Sequence, residues 1–111
     1  MPHPSKRKGD AAELEIAKIL ADQLGHDVKR ALGAGRADDI GDLHGVPDCT
    51  IEVKSYNDVT RAIADGLDDL EREQANAGTL FGVVMVRRRG GRWIAVMDVD
   101  RWVTMYREAT S

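Results

Sequence analysis

The sequence predicts an α/β protein, a mixed central β-sheet with helices on its faces, and three observations carry that expectation. Two amphipathic helical stretches, Asp10 to about Leu24 and Asp58 or Thr60 to about Ala77, are each stopped by a glycine, Gly25 and Gly78. Leu80-Phe81-Gly82-Val83-Val84-Met85-Val86 is a nearly continuous apolar run, as a strand covered on both faces requires. Gly90-Gly91 then turns that strand into Arg92-Trp93-Ile94-Ala95-Val96-Met97 as a hairpin.

Taken in order, residues 1–8 read as a flexible basic arm, with Pro2 and Pro4 opposing regular structure, and residues 9–111 as one domain. Asp10 suits an N-cap, with Glu13 three residues later as in a capping box. Glu13, Ile16, Ala17, Leu20 and Leu24 recur at helical spacing and form the inward stripe, leaving Glu15, Lys18 and Asp22 to the wet face. Val28 to Leu32 suits a first strand, followed by the loop Gly33-Ala34-Gly35-Arg36. Two short strands come next, Asp39 to Gly45 and Cys49 to Lys54, joined near His44-Gly45-Val46-Pro47. In the second helix Val59, Ile63, Leu67 and Leu70 step along one face, and Gln74 is the next position on it. A last helix from Asp98 or Asp100 is expected to pack Trp102 and Tyr106 on the end of the domain. The order is α-β-β-β-α-β-β-α.

A chain of 111 residues suffices for a single modest core. No apolar run approaches membrane-spanning length, and the opening residues lack the apolar core of a signal peptide. The lone cysteine, Cys49, cannot form an internal disulfide, which points to a reducing cytoplasm and to packing as its role. The net charge of −3 hides a segregation: residues 1–36 carry seven Lys/Arg against five Asp/Glu, residues 37–75 three against eleven, and residues 76–111 six against three. Basic clusters, Lys6-Arg7-Lys8 and Arg87-Arg88-Arg89 with Arg92, thus flank an acidic middle, a distribution suited to phosphate on either side of a cation.

The acidic middle holds the chemistry. Side chains alternate along a strand, so Glu52 and Lys54 share one face while Ile51 and Val53 share the other. An acidic residue stands ahead of them in the preceding strand. Asp42 opens that short strand and is preferred, with Asp39 the alternative; Asp48 follows Pro47 as a turn former. Two carboxylates and a lysine in one small space suit a hard cation and a water aimed at a phosphodiester. Glu13 and Gln74 are polar residues on apolar stripes. Glu13 suits either a capping box or a ligand aimed into the site, and Gln74 either a hydrogen bond to a strand end or a contact with water or phosphate. No histidine has a partner at zinc-ligand spacing.

These residues resemble the PD-(D/E)XK nuclease superfamily and, within it, the archaeal-type Holliday-junction resolvases. Lys6-Arg7-Lys8-Gly9 with Glu13 looks like the N-terminal signature of that family, Asp42 (or Asp39), Glu52 and Lys54 match its motif, and Arg72-Glu73-Gln74-Ala75 resembles the helix that follows. The run Gly41-Asp42-Leu43, Gly45-Val46-Pro47, Ile51-Glu52-Val53-Lys54 is also similar to small phage-encoded resolvase-like nucleases, which implies the host cytoplasm. The resemblance implies a restriction-endonuclease-like core and a Mg²⁺-dependent DNA endonuclease acting in DNA recombination. It implies cleavage of branched DNA, four-way junctions above all, leaving 5′-phosphates. Asp42, Glu52 and the Val53 carbonyl are expected to hold Mg²⁺, with Mn²⁺ substituting. Glu13 completes the shell, Lys54 orients or helps deprotonate the water, and Gln74 assists. Lys6, Arg7, Lys8, Arg30 and Arg36 are the expected phosphate contacts, in a C2 homodimer. Other nucleases on the same core (flap, nicking or exonuclease) and a non-catalytic DNA-binding protein are the rival expectations.

Overall fold

The computed structural model describes residues 4–31 and 39–111, with side chains from residue 9. Its elements follow the expected order: helix α1 (Pro4–Leu24), strands β1 (Lys29–Arg30), β2 (Leu43–His44) and β3 (Cys49–Lys54), helix α2 (Val59–Ala77), strands β4 (Phe81–Arg88) and β5 (Arg92–Val96), and helix α3 (Val99–Ala109). The protein is therefore α/β, with three helices and a mixed three-stranded sheet in the order β3-β4-β5. β3 runs parallel to β4 with Lys54 opposite Val86, and β4 runs antiparallel to β5 with Arg88 opposite Arg92. β1 and β2 form a separate antiparallel pair.

The sheet is buried between two helices, and strand alternation decides what each one meets. Ile51, Val53 and Val83 face Ala12, Ile16 and Ala17 of α1, with Val28 and Leu43 completing that core. Val84 and Val86 face Ala62 and Leu70 of α2. Each valine, leucine or isoleucine so withdrawn from water contributes about 1.5–3 kcal/mol, which fixes the register of the strands that carry the site. The intervening residues of β3, Glu52 and Lys54, project to the side that α2 covers, and Glu52 is only 3 % exposed.

α2 is the best-specified element. The Asp58 side chain caps it by accepting from the Arg61 N–H at 3.1 Å, and Gly78 ends it in the left-handed region at φ 68°. Its buried stripe is Ala62, Gly66, Leu70 and Glu73, which shares Leu70 with the expected line of Val59, Ile63, Leu67, Leu70 and Gln74 but is otherwise displaced from it. Close approach is the cause: a Cβ on Gly66 would lie 2.5 Å from Val84 Cγ1, so the helix seats its smallest residues against the sheet. Val59, Ile63 and Leu67 flank that contact, half-buried.

Other expectations need correction. α1 begins at Pro4, so residues 4–8 are helical and Asp10 lies inside the helix, capping nothing. Proline is at home in a first turn, where its missing N–H has no intrahelical partner to lose. Leu24 is 48 % exposed and leaves the inward stripe. Glu15 is not on a wet face; it accepts from Arg87 Nε at 3.2 Å and Trp93 Nε1 at 3.0 Å, tying α1 to the β4–β5 hairpin. The segment Asp39–Gly45 contributes only two residues of strand, paired with β1 and not with β3. Trp102 and Tyr106 stack on each other at 5.3 Å but stand half exposed on α3. Leu32 and Gly33 to Arg36 lie outside the described residues. Among those described, no helix is long and apolar enough to cross a membrane.

Candidate functional site

One cleft of about 340 Å³ gathers Glu13 from α1, Asp39 and Asp42 from the loop before β2, Glu52, Val53 and Lys54 from β3, and Asp69, Arg72 and Glu73 from α2. The loop is held there by Gly41. Its φ of 109° and the 3.1 Å separation between a built Cβ and the Ile51 carbonyl oxygen both require glycine. The backbone thereby lies along the free edge of β3: the Asp42 N–H donates to the Ile51 carbonyl at 2.8 Å, and Asp42 Oδ2 accepts from the Val53 N–H at 2.7 Å. Asp42 is thus bolted to the strand that carries Glu52 and Lys54. Asp39 is buried too, but its Oδ1 accepts from the Gly41 N–H at 2.9 Å and its carbonyl accepts from Asn76 Nδ2 at 2.9 Å, which braces the loop.

Among the described residues the cleft is short of positive charge, with six carboxylates against Lys54 and Arg72. Burial, and then the neighbouring Glu52, push the Asp42 carboxyl up to about 8. Burial, and then Glu73, push Glu52 up to about 8. Glu73 is raised to about 7, by burial first and by the charges of Asp39, Asp42 and Asp69. Glu52 Oε2 and Glu73 Oε2 are buried and meet no amide, ammonium, guanidinium or hydroxyl donor among the described residues, and the Glu52 carboxyl lies against those of Asp42 and Glu73, with which it can share a proton. Leaving such an atom unsatisfied costs about 1–3 kcal/mol, and more for a charged group.

Lys54 answers part of that deficit. Its Nζ lies 2.6 Å from Asp69 Oδ2 and 3.5 Å from Glu52 Oε1. Burial works to lower its pKa, but the bond to Asp69 and the charge of Glu52 outweigh it, so Lys54 is held above the ordinary lysine range as an ammonium. In that state it is a charge and a hydrogen-bond donor. Arg72 leans over the same carboxylates, 3.5 Å from Asp69 and 3.9 Å from Glu73.

Glu13 reaches the cleft as expected, but as a supported side chain instead of a cap. Arg30 Nε donates to its Oε2 at 2.9 Å while Arg30 Nη2 donates to Asp10 Oδ1 at 2.6 Å. Arg30, expected as a phosphate contact, thus pairs with two carboxylates of α1 and positions Glu13. Burial raises the Glu13 pKa, the Arg30 hydrogen bond opposes it, and Asp42 adds to it.

Gln74 does not reach the cleft. Its Nε2 donates to the carbonyls of Thr79 at 3.0 Å and Leu80 at 3.3 Å, and its Oε1 accepts from Arg101 Nε at 2.6 Å. It joins the end of α2 to the start of β4 and to α3. Its neighbour Glu73 takes the inward position that the apolar line through Leu70 had assigned to Gln74. The signal that finds Glu73 is the small pair Ala62 and Gly66, which continues through Leu70 to Glu73 at helical spacing. Asp69, one turn earlier, was equally absent from the expected set. The side chains of Lys6, Arg7 and Lys8, and all of Arg36, lie outside the described residues.

The donor set fits a hard divalent cation in its chemistry: oxygen ligands, surplus negative charge, and two orphaned carboxylate oxygens. Among the described residues no three His, Cys, Asp or Glu side chains already converge as a ligand sphere. The chain matches no family model, no curated protein and no solved structure, so the cleft is read from its own chemistry.

Proposed function

We propose that this protein is a Mg²⁺-dependent DNA endonuclease on a restriction-endonuclease-like core, a Holliday-junction resolvase acting on branched DNA as a homodimer. The observation that carries the reading is the pair of orphaned oxygens, Glu52 Oε2 and Glu73 Oε2, beside Asp42 and a protonated Lys54 in one cleft. A binding module has no use for such buried acceptors facing a polyanion, whereas a hydrolase that recruits a cation requires them.

When bound, Mg²⁺ (or Mn²⁺) neutralises phosphate charge and acidifies a water. Asp42 and Glu52 would hold it, with Glu73 in the same cleft as a further carboxylate. Asp42 brings one oxygen already fixed by the Val53 N–H, which sets its orientation before any cation arrives. Val53, next to it in the cleft, is the backbone candidate for a further ligand. Glu13, aimed by Arg30, accepts a hydrogen bond from the attacking water. Lys54, an ammonium held by Asp69, donates to the phosphate oxygens as charge builds on them. Water oxygen bonds to phosphorus as its proton passes through Glu13 to solvent, and the bond to the 3′ oxygen breaks as that oxygen takes a proton from solvent, so the product carries a 5′-phosphate and a 3′-hydroxyl.

A four-way junction presents two symmetry-related strands, which a C2 pair of identical sites matches. The test is a panel of four-way junction, flap, nicked and linear duplex substrates in Mg²⁺, with light scattering at the working concentration. Paired symmetric nicks from a dimer support the resolvase reading. Cutting confined to flap or linear DNA keeps the hydrolytic chemistry and discards the junction.

A further inference from the structure

We propose that Arg88, Arg89 and Arg92 form a binding subsite for nucleic-acid backbone phosphate, and that Tyr56 and Asn57 lie between it and the acidic cleft as a track for one strand. This inference rests on the nuclease reading for the identity of its ligand, and on separate observations for its existence.

The first observation is a contrast among arginines. Arg30, Arg61, Arg72, Arg87 and Arg101 each have a carboxylate within 4.0 Å. Arg88, Arg89, Arg92 and Arg107 have none among the described residues, and the first three line one pocket of about 310 Å³ with Asn57 and Val59. In a chain of net charge −3, three uncompensated arginines in one place stand out. Arg87, next in sequence, is spent on Glu15, so the basic run divides into one structural residue and three that face outward.

The second is the register. Arg88 is directly opposite Arg92 in the β4–β5 ladder. Like charges in that arrangement repel and destabilise a hairpin, and an anion between them removes the penalty. The left-handed Gly90 and Gly91 (φ 77° and 73°) fold the turn tightly enough to bring Arg89 to the same pocket.

The third is continuity with the cleft. Lys54 lines both the acidic cleft and an adjoining groove of about 510 Å³, and Asn57 lines both that groove and the arginine pocket. Since Lys54 is opposite Val86 across parallel strands, Arg88 lies one strand over and two residues on, a Cα separation of about 8 Å by sheet geometry. That spans about two nucleotides at a rise of ~3.4 Å. Tyr56 stands on this path, half-buried against the α2 core, with Lys54 Nζ over its ring at 5.7 Å from the centre. The groove's one carboxylate, Asp58, is occupied as the cap of α2.

The test is fluorescence anisotropy with a labelled four-way junction and a labelled single strand, in chelator so that nothing is cut. Wild type is compared with the triple variants Arg88→Ala/Arg89→Ala/Arg92→Ala and Arg88→Lys/Arg89→Lys/Arg92→Lys across a salt series. The alanine variant is expected to bind both probes about tenfold or more weaker and to lose about two to three from the slope of log K against log salt, with the lysine variant retaining the slope. Equal affinity and slope for wild type and the alanine variant overturn the proposal, as does a wild type that binds neither probe. Inorganic phosphate binding that needs the arginines, with DNA binding that does not, marks a free-anion site and also overturns it. Arginine-dependent binding without cleavage of any substrate in Mg²⁺ removes the nuclease reading and keeps this one; cleavage with arginine-independent binding does the reverse.

Discussion

Lys54 and Asp69 form a 2.6 Å ion pair across the interface of β3 and α2, and it favours the charged form of the lysine. With Asp69 and Glu52 beside it, the Lys54 pKa is held above the ordinary lysine range. Asp69→Asn removes the closer charge, lowering the Lys54 pKa and freeing its side chain. We expect kcat to fall about tenfold to a hundredfold with KM little changed, and a new alkaline limb in the pH–rate profile. A profile shaped like that of the wild type would exclude this positioning role.

Stability without a divalent cation should fall as pH rises. Asp42 and Glu52 at about 8 and Glu73 at about 7 all lie above the ordinary carboxylate range, so the folded protein binds more protons than the unfolded chain. The stabilisation from the neutral carboxyls is complete below the ordinary carboxylate pKa and is lost as pH rises through 7 to 8. Thermal unfolding in chelator is expected to drop by about 5–10 °C between about pH 5 and about pH 9. Mg²⁺ or Mn²⁺ should restore much of the loss at the alkaline end, and Glu73→Gln should flatten the curve.

Glu73 and Gln74 are adjacent but separable. Glu73→Gln should lower single-turnover cleavage about a hundredfold while leaving the protein folded, since it removes a charge that burial already opposes. Gln74→Ala should cost about 1–3 kcal/mol of stability through its bonds to Thr79, Leu80 and Arg101, with cleavage at saturating DNA little changed. Denaturant unfolding beside single-turnover kinetics separates the two, and a reversal of the pattern would mean that α2 is rotated by one residue from the description given.

Gly66→Ala tests the same interface from the packing side. Alanine gains about 1 kcal/mol in helix propensity, but its methyl would meet Val84 Cγ1 at 2.5 Å. Overpacking of that kind costs about 1–3 kcal/mol, so a net loss is expected in urea unfolding.

Much of this was legible before the structure. The Asp58 cap, the Gly78 stop, the buried run of β4 and the Gly90-Gly91 turn are local signals, and the elements they mark stand where expected. So does the alternation that puts Glu52 and Lys54 together, which follows from strand geometry alone. What was not legible depends on contacts far apart in sequence. Arg30 reads as a free cation until α1 brings Asp10 and Glu13 against it. Asp42 reads as a strand residue, yet it reaches β3 through a loop that Gly41 permits. The face of α2 is not legible from its large apolar residues, because Ala62 and Gly66 make the closest approach and turn Glu73 inward.

The measurement that bears most directly on the account is single-turnover cleavage of a synthetic four-way junction in Mg²⁺, by wild type and Glu52→Gln, with a chelator control. The account predicts cutting by wild type in Mg²⁺ alone, and a loss of at least about a hundredfold in a Glu52→Gln protein that still binds the junction. Folded wild type that binds the junction but cuts no DNA with Mg²⁺ or Mn²⁺ would contradict it.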